Sequence, residues 1–179
     1  GTEELNYFFS VLFPEEELRI LPYNRVVADL NGESPADLLL ALDQAFTIRD
    51  NGETVPTPGK KGEVGMYLGG HWYALCVREE LREEDPVEGL DVSFLQNLVL
   101  SPLLGIEDPR TSERIRFIGG IRGSEELKRL VDQKGGVAFL MYPTQMEELL
   151  SVADAGLLMP PKSTWFEPKL RSGLFIHTL

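Results

Sequence analysis

Hydrophobic and polar residues alternate most regularly around Gly69–Gly70, which predicts a β-hairpin closed by a two-residue loop. With this loop, Leu68 faces His71 on one side of the hairpin, and Tyr67 pairs with Trp72 on the other side. We expect the Leu68 side to face the core and the Tyr67 side to be half covered. For His71, beside the turn, we expect an exposed or structural role rather than a chemical one.

The remaining pattern predicts an α+β or α/β protein with a mixed sheet of about five to seven strands and about four helices packed mainly on one face. Further strands are predicted at residues 7–13, 18–27, 115–118, 137–142 and 174–179. Helices are predicted after the N-cap Ser34 and at residues 92–100, 124–133 and 144–155. Residues 50–62, rich in Gly, Pro, Thr and Lys, are expected to form a mobile loop in a single domain spanning residues 1–179.

Composition limits the classes of partner. The chain has 17 Lys and Arg against 29 Asp and Glu, and its net charge of −12 disfavours a broad nucleic-acid surface, because Lys and Arg must neutralise phosphates there. No apolar run approaches the roughly 18 residues of a membrane span, so we expect no membrane partner. The single cysteine, Cys76, cannot form an intramolecular disulfide, and a reducing cytoplasm is the simplest setting for it.

Two basic islands remain in this acidic chain. The first, residues 109–123, contains Arg110, Arg114, Arg116 and Arg122 against Glu113 alone. Arg122 follows Gly119–Gly120 and precedes the helix that begins at Ser124, where backbone N–H groups and the helix dipole favour a phosphate or carboxylate. A tight turn without a ligand is the alternative for this segment, and solvated surface charge is the alternative for each arginine.

The second island, residues 160–173, is denser in polar and aromatic groups and is the preferred place for a site. Lys162, Ser163 and Thr164 offer an ammonium and two hydroxyl donors. Lys169 adds a second ammonium, and the neighbouring aromatic rings could stack on a base. The alternative is a rigid structural crossover with solvated lysines. Islands of this size suit a small anion better than a polymer, and both islands could converge on one anion.

Carboxylates are too numerous for one of them to stand out. Glu107, Asp108 and Asp154 are the best acid–base or magnesium candidates, although we expect ordinary surface or capping roles for them. The spacings typical of zinc sites, redox cysteines and nucleophilic serines do not occur, and Cys76 is expected to be a buried, inert thiol. The sequence therefore predicts no metal site and leaves the catalytic residues and the cofactor unknown.

Five segments of the sequence resemble one family. They are Leu21–Arg25, Leu90–Ser93, Gly105–Arg110, Phe117–Gly120 and, most specifically, Met159–Thr164. On these segments, and over nearly its whole length, the chain resembles the C-terminal half of the domain of unknown function 1015 family of bacteria and archaea. The resemblance implies that the chain begins mid-protein and that the preceding half of the same protein is a partner.

Members of this family carry an Asp-Gly-His-His-Arg motif in the preceding half. That motif is similar to one in the ParB and sulfiredoxin superfamily, in which some proteins bind nucleotides or transfer phosphate. This chain has no His-His pair, so the presumed centre is absent from it. Many members read Leu-Pro-Thr-His-Arg where this chain has Leu21–Arg25. The resemblance therefore implies an anion-binding role for Arg25, while any role of the histidine is lost.

Two hypotheses follow for the function. In the first, the chain is a C-terminal domain that supplies an anion-binding wall to a larger nucleotide- or phosphate-handling enzyme and is not catalytic alone. The wall would consist of Lys162, Ser163, Thr164, Lys169, Arg110, Arg122 and Arg25. In the second, the chain is a non-catalytic interaction module in which these residues organise a domain interface or a homodimer.

Overall fold

A computed structural model of the chain describes residues 6–8, 10–169, 173–174 and 176. Its strands are β1 Arg19–Leu21, β2 Tyr23–Val27, β3 Phe46–Gly52, β4 Glu63–Leu68, β5 His71–Val77, β6 Ile115–Gly119, β7 Val137–Met141 and β8 Trp165–Glu167. Its α-helices are α1 Pro35–Leu42, α2 Asp91–Leu95, α3 Gly123–Lys134 and α4 Met146–Asp154. A π-helical turn, Gln96–Leu100, continues α2, and short 3₁₀ turns lie at Glu15–Glu17, Glu79–Leu81 and Gly120–Arg122.

The strands form a six-stranded sheet in the order β3-β5-β4-β7-β2-β6 and a two-stranded sheet of β1 and β8. Every neighbouring pair is antiparallel, which corrects the expectation of a sheet mixed in direction. β6 and β7, which α3 connects, run in the same direction. They are not neighbours, however, because β2 lies between them and runs antiparallel to both. The predicted α+β class is confirmed.

The six-stranded sheet has a core on each face. On one face, side chains such as Val27, Met66 and Phe139 pack in the same cluster as residues of α1, α2 and α4. On the other face, α3 covers Tyr67 and Trp72, each 1% exposed. The prediction that Tyr67 and Trp72 are half covered was therefore wrong, because the position of α3 is set by contacts distant in sequence. The helices do pack mainly on one face, as predicted.

Local sequence signals placed two elements correctly. The hairpin of β4 and β5 turns at Gly69–Gly70, with Leu68 opposite His71 as predicted. Both glycines have positive φ, which is the conformation that a two-residue hairpin loop requires. At the start of α1, the Ser34 hydroxyl accepts a hydrogen bond from the backbone N–H of Asp37 at 3.2 Å. This confirms the predicted N-cap.

Other predicted elements differ from the structure. The strand predicted at residues 7–13 is wrong: no strand forms at its described positions, and Phe8 and Leu12 are 85% and 93% exposed. Sequence analysis also missed β3, so residues 50–52 of the predicted mobile loop belong to a strand that pairs with β5. The mobility of the rest of that loop stays a prediction. The strand predicted at 174–179 falls largely outside the described residues. Among the residues described, no helix is long and apolar enough to cross a membrane.

Candidate functional site

Arg25 is held inside the six-stranded sheet. It lies on β2, between Phe117 of β6 and Phe139 of β7, and is only 3% exposed. Its guanidinium donates to the backbone carbonyl of Tyr23 and, at 3.2 Å, to that of Lys162. The guanidinium carbon lies 5.6 Å from the centre of the Phe117 ring, within cation–π distance. Arg25 is thus a fixed cation inside the fold.

No carboxylate forms an ion pair with Arg25 in the described part of the chain. Two of its roughly five N–H donors are used, both by neutral carbonyl groups. Burial lowers the pKa of Arg25 to about 10, so the guanidinium remains charged at neutral pH. A buried charge without a counterion costs several kcal/mol in typical proteins. Of the groups in the site, Arg25 would therefore be stabilised most by a bound anion.

Arg25 lines a cavity of about 460 Å³, which is within the usual range for small-molecule sites. The rest of the wall comes from the segment at 87–88, the helical segment from α2 through the π-helical turn, the loop at 107–110, Phe117 of β6 and Pro160–Pro161. The lining residues are Arg25, Val87, Glu88, Val92, Ser93, Gln96, Asn97, Leu100, Glu107, Asp108, Pro109, Arg110, Phe117, Pro160 and Pro161. The cavity therefore combines apolar surface with charges of both signs.

Arg110 also lines the cavity, but its charge is largely compensated. Its guanidinium donates to both carboxylate oxygens of Asp108, at distances of 2.8 to 3.2 Å. These hydrogen bonds hold the pKa of the Asp108 carboxyl below its ordinary value. Because the Arg110 side chain is 70% exposed, it can swing toward a ligand only by giving up this pair. Arg110 and Arg25 are the predicted basic residues that the fold brings to this cavity.

Lys162–Thr164 lies beside the cavity rather than in its wall. Lys162 adopts the left-handed conformation with φ of 59°, while its ammonium lies 5.7 Å from the centre of the Tyr23 ring. The buried Ser163 hydroxyl donates to the carbonyl of Pro160, and its carbonyl accepts from the Thr144 hydroxyl at 3.1 Å. The hydrogen-bonding groups of Ser163 thus fix a turn that presents Pro160–Pro161 to the cavity and the Lys162 carbonyl to Arg25.

Lys169 and Arg122 lie outside the cavity. The Lys169 ammonium is 4.7 Å from the centre of the Trp165 ring, and Arg122 is exposed at the end of the 3₁₀ turn before α3. Thr164 is half-buried and does not line the cavity either. The two basic islands do adjoin, since a Cβ on Gly119 would lie 2.5 Å from the Trp165 ring. Anion binding by these side chains stays a prediction.

Sequence reasoning missed the polar residues of the helical segment. Gln96 donates to the Ile106 carbonyl at 2.8 Å, and its Oε1 is buried without a hydrogen-bond partner among the described residues. Asn97 donates to Glu88 at 2.7 Å. A Gln-Asn pair between Phe94-Leu95 and Leu98-Val99 was the available signal. Burial of an amide is costly unless it is hydrogen-bonded, so amides inside an apolar segment indicate polar partners nearby.

Asp91 fixes the beginning of this helical segment. It is 9% exposed, and its Oδ1 accepts the Gly62 N–H at 2.8 Å, which ties α2 to the loop before β4. Desolvation raises the pKa of the Asp91 carboxyl to about 6, against the lowering effect of the Gly62 hydrogen bond. No three His, Cys, Asp or Glu side chains in the described ranges are placed to hold a metal ion. The hydrogen bond to Gly62 makes Asp91 a positioning residue.

A family model described as "Protein of unknown function (DUF1015)" matches residues 1–93, about half of the 179 residues. The chain belongs to the DUF1015 family. This confirms the resemblance seen in the sequence. The DUF1015 match includes Arg25 and Glu88 and ends at Ser93, before the π-helical turn. No curated protein matches the chain.

Solved structures of a free serine kinase are similar to the chain, at 10% identity, and cover 85% of it. The TM-scores are 0.51 for a mutant in complex with AMP, 0.49 for the kinase in complex with AMP, and 0.48 for another mutant in complex with ADP. The chain spans 55% of the length of these kinase structures. At this identity the likeness concerns the fold alone.

Proposed function

We propose that this chain binds a small anion, a phosphate or a carboxylate, in the cavity at Arg25, as the binding wall of a nucleotide- or phosphate-handling protein. The observation that carries the proposal is the Arg25 guanidinium itself: 3% exposed, without an ion pair in the described residues, and lining a cavity of about 460 Å³. The proposal assigns binding, and not a chemical step, to these residues. It includes the cytoplasm as the setting, which the single Cys76 favours.

The unpaired charge of Arg25 favours the binding of an anion. An anion that enters the cavity would displace water and accept charge-assisted hydrogen bonds from the unused N–H groups of Arg25. The planar guanidinium matches the spacing of carboxylate and phosphate oxygens. The low-exposure setting strengthens that attraction relative to a surface arginine. Phe117 and the Tyr23 and Lys162 carbonyls already hold the guanidinium in place, so little side-chain entropy is lost on binding.

The solved structures support the nucleotide part of the proposal. The kinase structure with a TM-score of 0.51 holds AMP, whose phosphate is an anion of the class that Arg25 would bind. Exposed apolar and aromatic surface in the cavity, from Phe117 and Pro160–Pro161, suits the non-charged part of such a ligand. In this proposal Lys162 adds a positive charge beside the cavity.

Isothermal titration calorimetry with inorganic phosphate, AMP and ADP tests the proposal. We expect at least one of these anions to bind the wild-type chain and to bind Arg25→Gln about tenfold or more weakly, because a hydrogen bond to a charged group is lost. Arg129→Gln is the matched control, since Arg129 lies on α3 and pairs with Glu126. Equal affinity of wild type and Arg25→Gln for every anion that binds, or no binding at all, would refute the proposal.

Exposed apolar side chains favour a second candidate function, a non-catalytic interaction module. Phe8, Leu12 and Leu158 are each more than four-fifths exposed. Apolar surface of this kind marks protein interfaces when the residues are contiguous. Size-exclusion chromatography with light scattering distinguishes the two functions: a stable dimer that Leu158→Ser dissociates would support the interaction module. A monomer that binds phosphate through Arg25 would support the first proposal.

A further inference from the structure

The cavity contains uncompensated charges of both signs. Arg25 supplies the positive charge, and Glu88 and Glu107 supply two negative charges. Within the described ranges, none of these three groups forms an ion pair, either with one another or with another residue. Opposite charges that line one cavity without pairing can each bind a different end of a ligand that carries both charges.

Each carboxylate is oriented by one hydrogen bond. Glu88 accepts from the Asn97 side-chain amide at 2.7 Å, and Glu107 accepts from the Ser101 hydroxyl at 2.8 Å. Both bonds use Oε2, so Oε1 of each carboxylate has no hydrogen-bond donor among the described residues. Asn97 belongs to the helical segment that lines the cavity, and Ser101 follows that segment directly. Each carboxylate is therefore oriented by a side chain in this segment or directly after it, although both glutamates are exposed.

The charge balance favours an anion that also carries a positive charge. With Arg110 paired to Asp108, the remaining lining charges are one positive and two negative, so a simple anion at Arg25 leaves both carboxylates without an ionic partner. A metal ion could in principle compensate them, but the described carboxylates are not grouped as metal ligands. An organic ammonium needs only single carboxylate oxygens as acceptors, which is what Glu88 and Glu107 offer.

We propose that the ligand of this cavity is a small zwitterion, in which a carboxylate or phosphate binds Arg25 and a primary ammonium on the same molecule binds Glu88 and Glu107. Free amino acids are the main members of this class, and phosphoethanolamine is the matching phosphate member. The inference rests on the proposed anion site and adds the second half of the ligand. Phe117 and Pro160–Pro161 supply apolar surface for the rest of the molecule.

Thermal-shift screening of the 179-residue chain, followed by calorimetry, tests the inference. The probes are the twenty free L-amino acids, β-alanine and phosphoethanolamine, each compared with an analogue without the ammonium, such as L-lactate for L-alanine. We expect at least one zwitterion to bind about tenfold or more tightly than its analogue, since a charge-assisted contact is lost in the analogue. Glu88→Gln together with Glu107→Gln should remove this preference without weakening the analogue. Glu113→Gln, outside the cavity, should retain it.

The outcomes separate this inference from the proposal beneath it. If phosphate or AMP binds through Arg25 while no zwitterion binds better than its analogue, the zwitterion inference is wrong and the anion site stands. If the preference persists in both single variants and in the double variant, the carboxylates are not the ammonium partners and the inference is also wrong. If neither zwitterions nor simple anions bind, both proposals are wrong. Glu88 and Glu107 are exposed, so we expect their Gln variants to fold.

Discussion

The stability of the protein should depend on the ionisation of Asp91. This carboxyl is 9% exposed, and desolvation raises its pKa from 3.8 to about 6, partly opposed by the Gly62 N–H. A carboxyl whose pKa is raised in the folded state binds its proton more tightly there than in the unfolded chain. Protonation of Asp91 therefore stabilises the folded state fully below the pKa of the unfolded chain, and this stabilisation is lost as the pH rises through the folded-state pKa.

The magnitude follows from the size of the shift. A difference of roughly two pKa units corresponds to about 3 kcal/mol between low pH and neutral pH. About half of this change, roughly 1.5 kcal/mol, lies between pH 5 and pH 8. That window avoids the isoelectric point near 4.6, where the protein would be least soluble. Asp91→Asn keeps an acceptor for the Gly62 N–H and cannot ionise. Its unfolding free energy relative to that of wild type should therefore rise by roughly 1.5 kcal/mol between pH 5 and pH 8.

Urea denaturation of wild type and Asp91→Asn at pH 5, 6, 7 and 8 measures the difference in unfolding free energy. Asp91→Ala separates charge from hydrogen bonding: it removes the same ionisation, and the unpaired Gly62 N–H should cost about 1–3 kcal/mol at every pH. A difference between wild type and Asp91→Asn that stays constant across this window would refute the reasoning, because it would mean that Asp91 is as easily ionised in the folded state as in the unfolded one.

Two further predictions concern packing against the two faces of the sheet. Gly119→Ala should lower the unfolding free energy by about 1–3 kcal/mol, because the added Cβ would lie 2.5 Å from the Trp165 ring. Urea denaturation measures this loss, and a variant as stable as wild type would contradict the contact. Tyr67→Phe should cost about 1 kcal/mol, because the buried hydroxyl donates to Asp132 and accepts from Lys128, both at 2.7 Å. A Tyr67→Phe variant as stable as wild type would show that this network contributes nothing.

The elements that sequence analysis placed correctly are those whose signals are local. Gly69–Gly70 sets the hairpin register by itself, and Ser34 caps α1 through a contact three residues away. By contrast, β3 is an edge strand with a register shift near Gly52, and only its pairing with β5 identifies it. An apolar run such as residues 7–13 predicts burial only if another element covers it. No local pattern reveals whether such a cover exists.

The candidate site was predictable only in part, because the cavity joins segments that are far apart in sequence. The family resemblance singled out Arg25, and the composition of the second island drew attention to Pro160–Thr164. The sequence does not show that the Ser163 hydroxyl donates to the Pro160 carbonyl within its own turn, or that the Lys162 ammonium lies over the Tyr23 ring. It also does not show that the helical segment after Asp91 reaches the same cavity. Charge density along the sequence therefore located the region, while three-dimensional packing selected the residues.

The most direct test of the central claim is a crystal structure of the 179-residue chain grown with inorganic phosphate, compared with one grown in a phosphate- and sulfate-free solution. We predict phosphate in the cavity, with its oxygens within hydrogen-bond distance of the Arg25 guanidinium, and no such density in Arg25→Gln crystals grown under the same conditions. An ordered phosphate found only at surface lysines, with the Arg25 cavity holding water at saturating phosphate, would contradict the assignment of an anion site to this protein.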